Sequence, residues 1–144
     1  MIAVSQELAD AVERAGRSVV AVNARERISS SGISWREGIV VTADHSIRHT
    51  EEITVTLPDG RGIAATLAGR DSGTDLAVLK LGVSGLTPPE PAPAGSVRAG
   101  SLVLAVGRGP ETGVNAAMGV ISSVSGAWRT WRGGRVDQFI RLDV

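Results

Sequence analysis

Alternating apolar and polar residues predict a β-hairpin in the first half of the chain. Between residues 52 and 57 every second position is apolar, namely Ile53, Val55 and Leu57. The turn sequence Pro58-Asp59-Gly60 follows, and it suits a tight turn because proline fixes φ and glycine accepts a positive φ. The alternation then resumes at Ile63, Ala65 and Leu67. This pattern is typical of two antiparallel strands with one buried face.

Further short apolar segments predict strands on both sides of this hairpin. They are rich in β-branched residues and cover residues 18–23, 32–35, 38–42, 75–81, 101–106, 116–123 and 139–144. Side chains alternate between the two faces of a strand, so we expect one face of the strand at 75–81 to carry Ala77, Leu79 and Leu81. A polar loop at 24–31 and a turn at 36–37 separate the early strands.

Residues 5–18 have the apolar spacing of an α-helix, with one side formed by Leu8, Ala11, Val12 and Ala15. Ser5 is predicted to cap the N-terminus of this helix, and Gly16 is predicted to end it. A single helix in front of many short strands indicates an all-β fold.

A proline-rich segment divides the predicted strands into two groups. Proline cannot donate a hydrogen bond to a sheet ladder, and the segment contains Pro88, Pro89, Pro91 and Pro93. We therefore expect a helix at 1–17, a first β unit at 18–87, a linker at 88–96 and a second β unit at 97–144. The last residue, Val144, falls within a predicted strand with no closing turn, which indicates a fragment whose open edge is paired elsewhere.

Composition and charge exclude several classes of function. The chain has 144 residues, 15 of them Lys or Arg and 15 Asp or Glu, so its net charge is zero and gives no overall attraction to nucleic acid or anionic membranes. Cysteine is absent, which excludes disulfides and thiolate metal sites. No apolar segment approaches the length of a membrane span, and the N-terminus lacks the pattern of a signal peptide.

Residues 126–138 combine tryptophan and arginine and predict a hairpin or a mobile loop with its turn at Gly133-Gly134. Aromatic and basic residues together can stack nucleic-acid bases, but the zero net charge argues against that partner. A plain amphipathic hairpin, or a loop that contacts a protein or peptide, fits the pattern better.

Two titratable residues, His45 and Asp75, lie at the ends of predicted buried strands. A histidine in such a place can act as a general base near neutral pH, although it can equally be a surface residue without a chemical role. Asp75 precedes apolar positions and would need donors for its carboxylate, which His45 could supply. The alternative is that Asp75 caps its own turn through nearby backbone N–H groups. The spacing of the two residues leaves both alternatives open.

A second histidine, His49, follows His45 by four residues. On a helix the two rings would face the same side and could bind a metal ion, but the glutamate of a zinc-protease motif is replaced by Ser46 and no third ligand is evident. We therefore predict no metal site and no cofactor, and we expect His49 to be a solvated loop residue.

Over nearly its whole length the chain resembles the HtrA (Deg) family of trypsin-like serine proteases. The most specific match is T-D-L-A-V-L-K at 74–80, and its aspartate follows His45 by 30 residues, as in the family. Other matches are V-V-x-V at 19–22, T-x-x-H at 42–45, I-x-V-x-L-x-D-G-R at 53–61, the strand ending in glycine at 100–107, the strand at 117–122 and F-I-x-x-D at 139–143.

This resemblance implies a fold and a set of roles. The family fold consists of two β-barrels with the active site between them, so residues 18–87 would form the first barrel and residues 97–144 an incomplete second barrel. His45 would be the general base and Asp75 the carboxylate that orients it. Ala43 and Ser46 depart from the residues common around the family's histidine, but neither touches the chemistry directly.

The nucleophile of the family is expected beyond the end of this sequence. The family carries it in G-N-S-G-G-P, which follows the segment that resembles 140–144. Ser101, Ser122 and Ser123 match other positions of the family, so none of them is expected to be the nucleophile. The chain is thus expected to supply the histidine and the aspartate of a Ser-His-Asp triad and to be inactive alone.

The resemblance also implies partners and a location. Polypeptides would be the substrates, the missing segment with the serine would be a partner, and assembly of identical copies is expected because family members often form trimers. The location would be the cell envelope or periplasm. Two alternatives are one chain of a cleaved or complemented protease, and a non-catalytic module that binds peptides between its barrels.

Overall fold

The computed structural model describes residues 2–144. It begins with α1 (Ile2–Gly16), which ends at the predicted glycine but starts three residues before Ser5. The prediction that Ser5 caps this helix is therefore wrong, because Ser5 lies within the first turns. Residue 1, which the expected helical segment included, lies outside the described residues.

Six antiparallel strands form a closed barrel after the helix. They are β1 (Val19–Asn23), β2 (Ser30–Arg36), β3 (Ile39–Ala43), β4 (Ile53–Thr56), β5 (Gly62–Asp71) and β6 (Leu76–Leu81). Their order around the barrel is β1-β2-β3-β6-β5-β4, with β4 pairing back onto β1. The barrel has no free sheet edge, so all of its strands are paired on both sides.

The interior of the barrel is filled by the apolar face that the alternation predicted. Strands β1, β3, β4 and β6, with the residue that follows β4, supply the fully buried apolar side chains Val20, Val22, Val40, Ile53, Val55, Leu57 and Leu79, and partly buried side chains of β5 pack against them. In β6 the buried positions are Ala77, Leu79 and Leu81, which confirms the predicted face. The hairpin of β4 and β5 is also confirmed, with Ile53 opposite Ala65 and Val55 opposite Ile63.

The boundaries of the early strands differ from the prediction by a few residues. β2 extends from Ser30 to Arg36, so the turn to β3 contains Glu37 and Gly38 rather than residues 36–37. Gly38 has a φ of 68°, a conformation that favours glycine, and this explains why the turn is placed there.

After a segment without strands at residues 82–101, the chain forms open sheets. β7 (Leu102–Gly109), β8 (Gly113–Ser125) and β11 (Phe139–Asp143) make a three-stranded sheet in the order β11-β8-β7. β9 (Trp128–Arg129) and β10 (Arg135–Val136) form a short hairpin whose turn spans residues 130–133, so its central pair, Trp131-Arg132, lies two positions earlier than predicted. The predicted all-β architecture, with a complete first barrel and a partial second barrel, is confirmed.

The first barrel and the open sheet are joined by side-chain contacts. Arg108 of β7 donates from Nε to the Val19 carbonyl at 2.6 Å and from Nη2 to the Gly16 carbonyl at 2.8 Å. Its backbone N–H also donates to the hydroxyl of Ser31 at 2.9 Å. Among residues 2–144, no helix is both long enough and apolar enough to cross a membrane.

Candidate active site

His45 lies in a single 3-10 turn, Asp44–Ser46, which directly follows β3. The turn is tied back to the strand, because the buried Ser46 hydroxyl donates to the Ala43 carbonyl at 2.7 Å. The side chain of His45 is 59% exposed, so the imidazole stands on the surface while the residues on either side of it, Asp44 and Ser46, are buried. The end of a buried strand therefore presents the ring to solvent.

Asp75 lies at the start of β6 and faces the same turn. Its Oδ2 is 2.6 Å from Nδ1 of His45, and its Oδ1 accepts the backbone N–H of His45 at 2.8 Å. The carbonyl of Asp75 accepts the N–H of Asp44 at 3.1 Å. Asp75 has a φ of 59°, in the left-handed region, and this conformation turns both its carbonyl and its carboxylate toward the histidine turn.

The pairing of β3 with β6 explains why the two residues meet. Ala43 and Leu76 are the last partners of this antiparallel ladder, so the residues that follow one strand lie beside those that precede the other. The contact between His45 and Asp75 was expected from the sequence only as one of two alternatives. The alternative role of turn capping is filled by Asp71, whose carboxylate accepts the Gly73 N–H at 2.9 Å and the Thr74 hydroxyl at 2.8 Å.

Hydrogen bonds keep Asp75 ionised. The His45 backbone N–H and then the His45 side chain lower the pKa of Asp75 below its usual range, and the positive charge of Arg132 acts weakly in the same direction. An ionised carboxylate only accepts hydrogen bonds, so Nδ1 of His45 carries the proton in this contact. The other ring nitrogen, Nε2, makes no hydrogen bond within residues 2–144 and is the atom left for acid–base chemistry.

An ion pair that the sequence analysis did not identify lies beneath the histidine. Nε of Arg70, on β5, is 2.5 Å from Oδ1 of Asp44, whose side chain is only 6% exposed. Nη2 of Arg70 also donates to the Asp44 carbonyl at 3.4 Å. The sequence carried one signal for this pair, since Asp44 lies two residues after Thr42 and so continues the alternation of β3, and a buried carboxylate requires a partner.

A pocket of about 570 Å³ opens beside the pair, between Asp75 and the hairpin of β9 and β10. Aromatic side chains form much of its wall, with the rings of Trp128 and Phe139 stacked at 5.2 Å between centroids. Trp131, which is 91% exposed, stands at its rim with Arg132 over its ring. The pocket gives the acid–base pair a neighbouring apolar surface.

The hairpin is anchored to the turn that carries Asp75. The Thr130 hydroxyl donates to the Gly73 carbonyl at 2.6 Å, and the backbones of Gly134 and Gly73 approach so closely that neither glycine has room for a Cβ without displacement. This contact was not predicted, because nothing in the local sequence pairs residues that are 57 positions apart.

His49 does not join His45 in a shared site. Its Nδ1 contacts the Glu51 carbonyl at 2.7 Å within its own loop, and the segment between the two histidines is not helical. In the part of the chain that the structure describes, no three His, Asp or Glu side chains are grouped to hold a metal ion.

Comparison with known proteins identifies the family. The family model described as a trypsin-like peptidase domain matches residues 30–144. The serine endoprotease DegS of Escherichia coli K12 is 39% identical over 97 residues, which are 67% of this chain and 27% of DegS. A probable periplasmic DegP-like serine endoprotease of Halomonas elongata is 31% identical over 120 residues, or 83% of this chain and 25% of that protein.

A third relative, the periplasmic pH-dependent serine endoprotease DegQ of Escherichia coli K12, is 31% identical over 113 residues, or 78% of this chain and 24% of DegQ. The chain thus spans about a quarter of the length of the curated relatives it matches. The family model covers most of the sequence, and the relatives that accompany it are Deg proteases. This chain therefore belongs to the trypsin-like peptidases, within their HtrA (Deg) family.

Proposed function

We propose that this chain supplies the general base, His45, and its orienting carboxylate, Asp75, to a serine endopeptidase. The observation that carries the proposal is the 2.6 Å contact between Nδ1 of His45 and Oδ2 of Asp75, with Nε2 of the same ring left without a partner within residues 2–144. A surface histidine without a role would not need a second anchor, yet Asp75 also accepts the backbone N–H of His45.

The proposed reaction is acyl transfer. Nε2 of His45 takes the proton from a serine hydroxyl as its oxygen attacks the carbonyl carbon of a peptide bond. Asp75 stabilises the imidazolium that forms and keeps the remaining proton on Nδ1. The proton then passes to the leaving amine as the C–N bond breaks. In the second half of the reaction, His45 takes a proton from a water molecule that attacks the acyl-enzyme. The serine oxygen leaves with that proton, and the carboxylic acid is released.

We infer that the serine lies outside residues 1–144, in a downstream segment or in a second chain, and that these residues alone are inactive. The inference is supported by the length of the relatives, of which the matched region makes up about a quarter. The serine and the backbone donors that stabilise its oxyanion contribute much of the rate of such enzymes.

The substrates we propose are extended polypeptides, and the compartment we propose is outside the cytoplasm, because DegQ and the DegP-like relative are named as periplasmic endoproteases. Assembly of identical copies is part of the same proposal. It is tested by sedimentation of the purified protein.

The function is tested with the protein extended through its natural downstream residues and casein as the substrate. We expect hydrolysis, a loss of about 10⁴-fold or more in His45→Ala, and a loss of similar order in Asp75→Asn, which retains the shape of the side chain. His49→Ala is the matched control and should hydrolyse casein at the rate of the unaltered protein. Unchanged hydrolysis in His45→Ala contradicts the proposal.

The downstream sequence separates this function from the non-catalytic alternative. A serine within G-x-S-G-G supports the peptidase, whereas any other residue at that position would indicate a module that only binds peptides. The aromatic pocket beside Asp75 is the surface that such a module would use.

A further inference from the structure

We propose that Arg70 is a positioning residue for His45 and acts through Asp44. The inference rests on the proposed role of His45 as the general base. Arg70 does not touch the imidazole, but its guanidinium binds the residue immediately before His45 by two contacts, one to the carboxylate and one to the backbone carbonyl of Asp44.

Asp44 joins the elements that meet at the site. Its N–H donates to the Asp75 carbonyl at 3.1 Å, and its carbonyl accepts the Ile47 N–H that closes the 3-10 turn at 3.0 Å. Its carboxylate extends to Arg70 on β5. The direction of the turn, and therefore of the His45 ring, depends on these three attachments.

The carboxylate of Asp44 is buried, and this makes the attachment to Arg70 decisive. With Arg70 in place only 6% of the Asp44 side chain is exposed, so the guanidinium supplies the charge partner that water would supply at an exposed carboxylate. A buried carboxylate that loses its charge partner has to be rehydrated, and we expect this to displace the turn that carries His45. Arg70 itself is 42% exposed and is not a core residue, so we expect its substitution to leave the barrel core intact.

The pairing of β5 with β6 explains why Arg70 can reach the turn that carries His45. Arg70 pairs with Ala77 in the ladder of β5 and β6, one pair away from Asp71 and Leu76. The same hairpin thus presents Asp75 at its turn and Arg70 on its strand, and both residues bind the histidine turn. The planar guanidinium fits this place because it can bind a carboxylate and a carbonyl simultaneously.

The test is nuclear magnetic resonance of the imidazole groups in the chain of residues 1–144, which needs no proteolytic activity. The chain has only two histidines, so each ring is resolved separately. In the unaltered protein we expect His45 to carry its proton on Nδ1, with slow exchange against water. In Arg70→Met we expect this Nδ1 signal to be lost while the amide spectrum remains that of a folded barrel.

Two controls accompany the measurement. His49 is an internal one, since its Nδ1 is held by the Glu51 carbonyl and should not respond. Arg61→Met is the matched variant, because Arg61 pairs with Asp59 at 2.8 Å in the same barrel but both side chains are exposed. An unchanged His45 signal in a folded Arg70→Met, or an equal loss in Arg61→Met, overturns the proposal.

If Arg70→Met does not fold, the same resonance measurement on Arg70→Lys tests the proposal. Lysine keeps the positive charge but cannot make both contacts to Asp44, so we expect a folded chain in which the His45 Nδ1 proton exchanges severalfold faster. An exchange rate equal to that of the unaltered protein overturns the proposal. Failure of the casein experiment would leave this result standing, because the resonance experiment reports the position of the ring and not the reaction.

Discussion

The left-handed conformation of Asp75 and its two bonds to His45 make this carboxylate sensitive to protonation. Its pKa is lowered in the folded chain, chiefly by the backbone N–H of His45, so folding favours the ionised form. The stabilising contribution is therefore fully present above the unfolded pKa, near the ordinary value of 3.8, and is lost as the pH falls through the lower folded value.

We predict that the difference in free energy of unfolding between the unaltered chain and Asp75→Asn shrinks as the pH falls below 4, close to the ordinary pKa of 3.8. Urea denaturation at a series of pH values measures it. Asparagine suits the comparison because it tolerates the left-handed conformation and keeps the shape of the side chain. A difference that stays constant down to pH 2 would show that the carboxylate charge does not contribute.

The surroundings of a residue could be predicted from the sequence where that residue lies at the end of a strand with a regular apolar pattern. His45 and Asp75 follow or precede unbroken apolar segments, so their neighbourhood could be inferred, although the choice between a shared proton and a turn cap could not. The ion pair of Arg70 and Asp44 could not be predicted, because a partly exposed arginine has no distinguishing sequence pattern. Its partner becomes evident only when the fold places β5 beside the histidine turn.

At the scale of elements, the short hairpin of β9 and β10 supports the turn before β6. The Thr130 hydroxyl makes the polar link, and the close approach of Gly134 to Gly73 makes the steric one. The hairpin is thus part of the surroundings of Asp75, even though it is a small surface feature with only two paired residues on each strand.

We predict that Thr130→Val lowers the free energy of unfolding by about 1–3 kcal/mol while keeping the shape of the side chain. It removes two hydrogen bonds, the one that the hydroxyl donates to the Gly73 carbonyl and the one that it accepts from the Gly134 N–H at 2.9 Å. Thr130→Ser keeps the hydroxyl and should retain most of the stability. Urea unfolding followed by tryptophan fluorescence measures both variants, since Trp128 and Trp131 flank the site of substitution. Equal stability of the two variants would refute the role of the hydroxyl.

The strands of the first barrel were predictable because each shows one buried face and ends at a recognisable turn. Their closure into a ring was implied only by the family resemblance, since the residue pattern itself contains no signal for the pairing of β1 with β4. The start of α1 was not predictable either. Ser5 is a favourable capping residue, but the helix begins three residues before it.

The described residues form the helix α1, a closed barrel, a three-stranded open sheet and the short β9–β10 hairpin, with a segment without strands between barrel and sheet at residues 82–101. The division into units at 18–87, 88–96 and 97–144 stays a prediction. The later part of the chain contacts the barrel and α1 through β7, whose Arg108 binds the carbonyls of Val19 and Gly16, and through the β9–β10 hairpin, whose Thr130 binds the Gly73 carbonyl.

We predict that limited proteolysis first cleaves the chain within residues 88–96, because this segment is exposed and makes few hydrogen bonds. Mass spectrometry of the products identifies the site. Trypsin is unsuited because the segment lacks lysine and arginine, so a protease of broad specificity is required. Initial cleavage inside the barrel strands would contradict the predicted division.

The closure of β3 onto β6 has a consequence for how activity could be controlled. Since Ala43 and Leu76 end the ladder next to the histidine and the aspartate, these two residues come into register when the barrel itself folds. The pair of His45 and Asp75 is therefore already arranged once the barrel has folded. Under the proposed function, we expect proteolytic activity to be regulated through the segment that carries the serine.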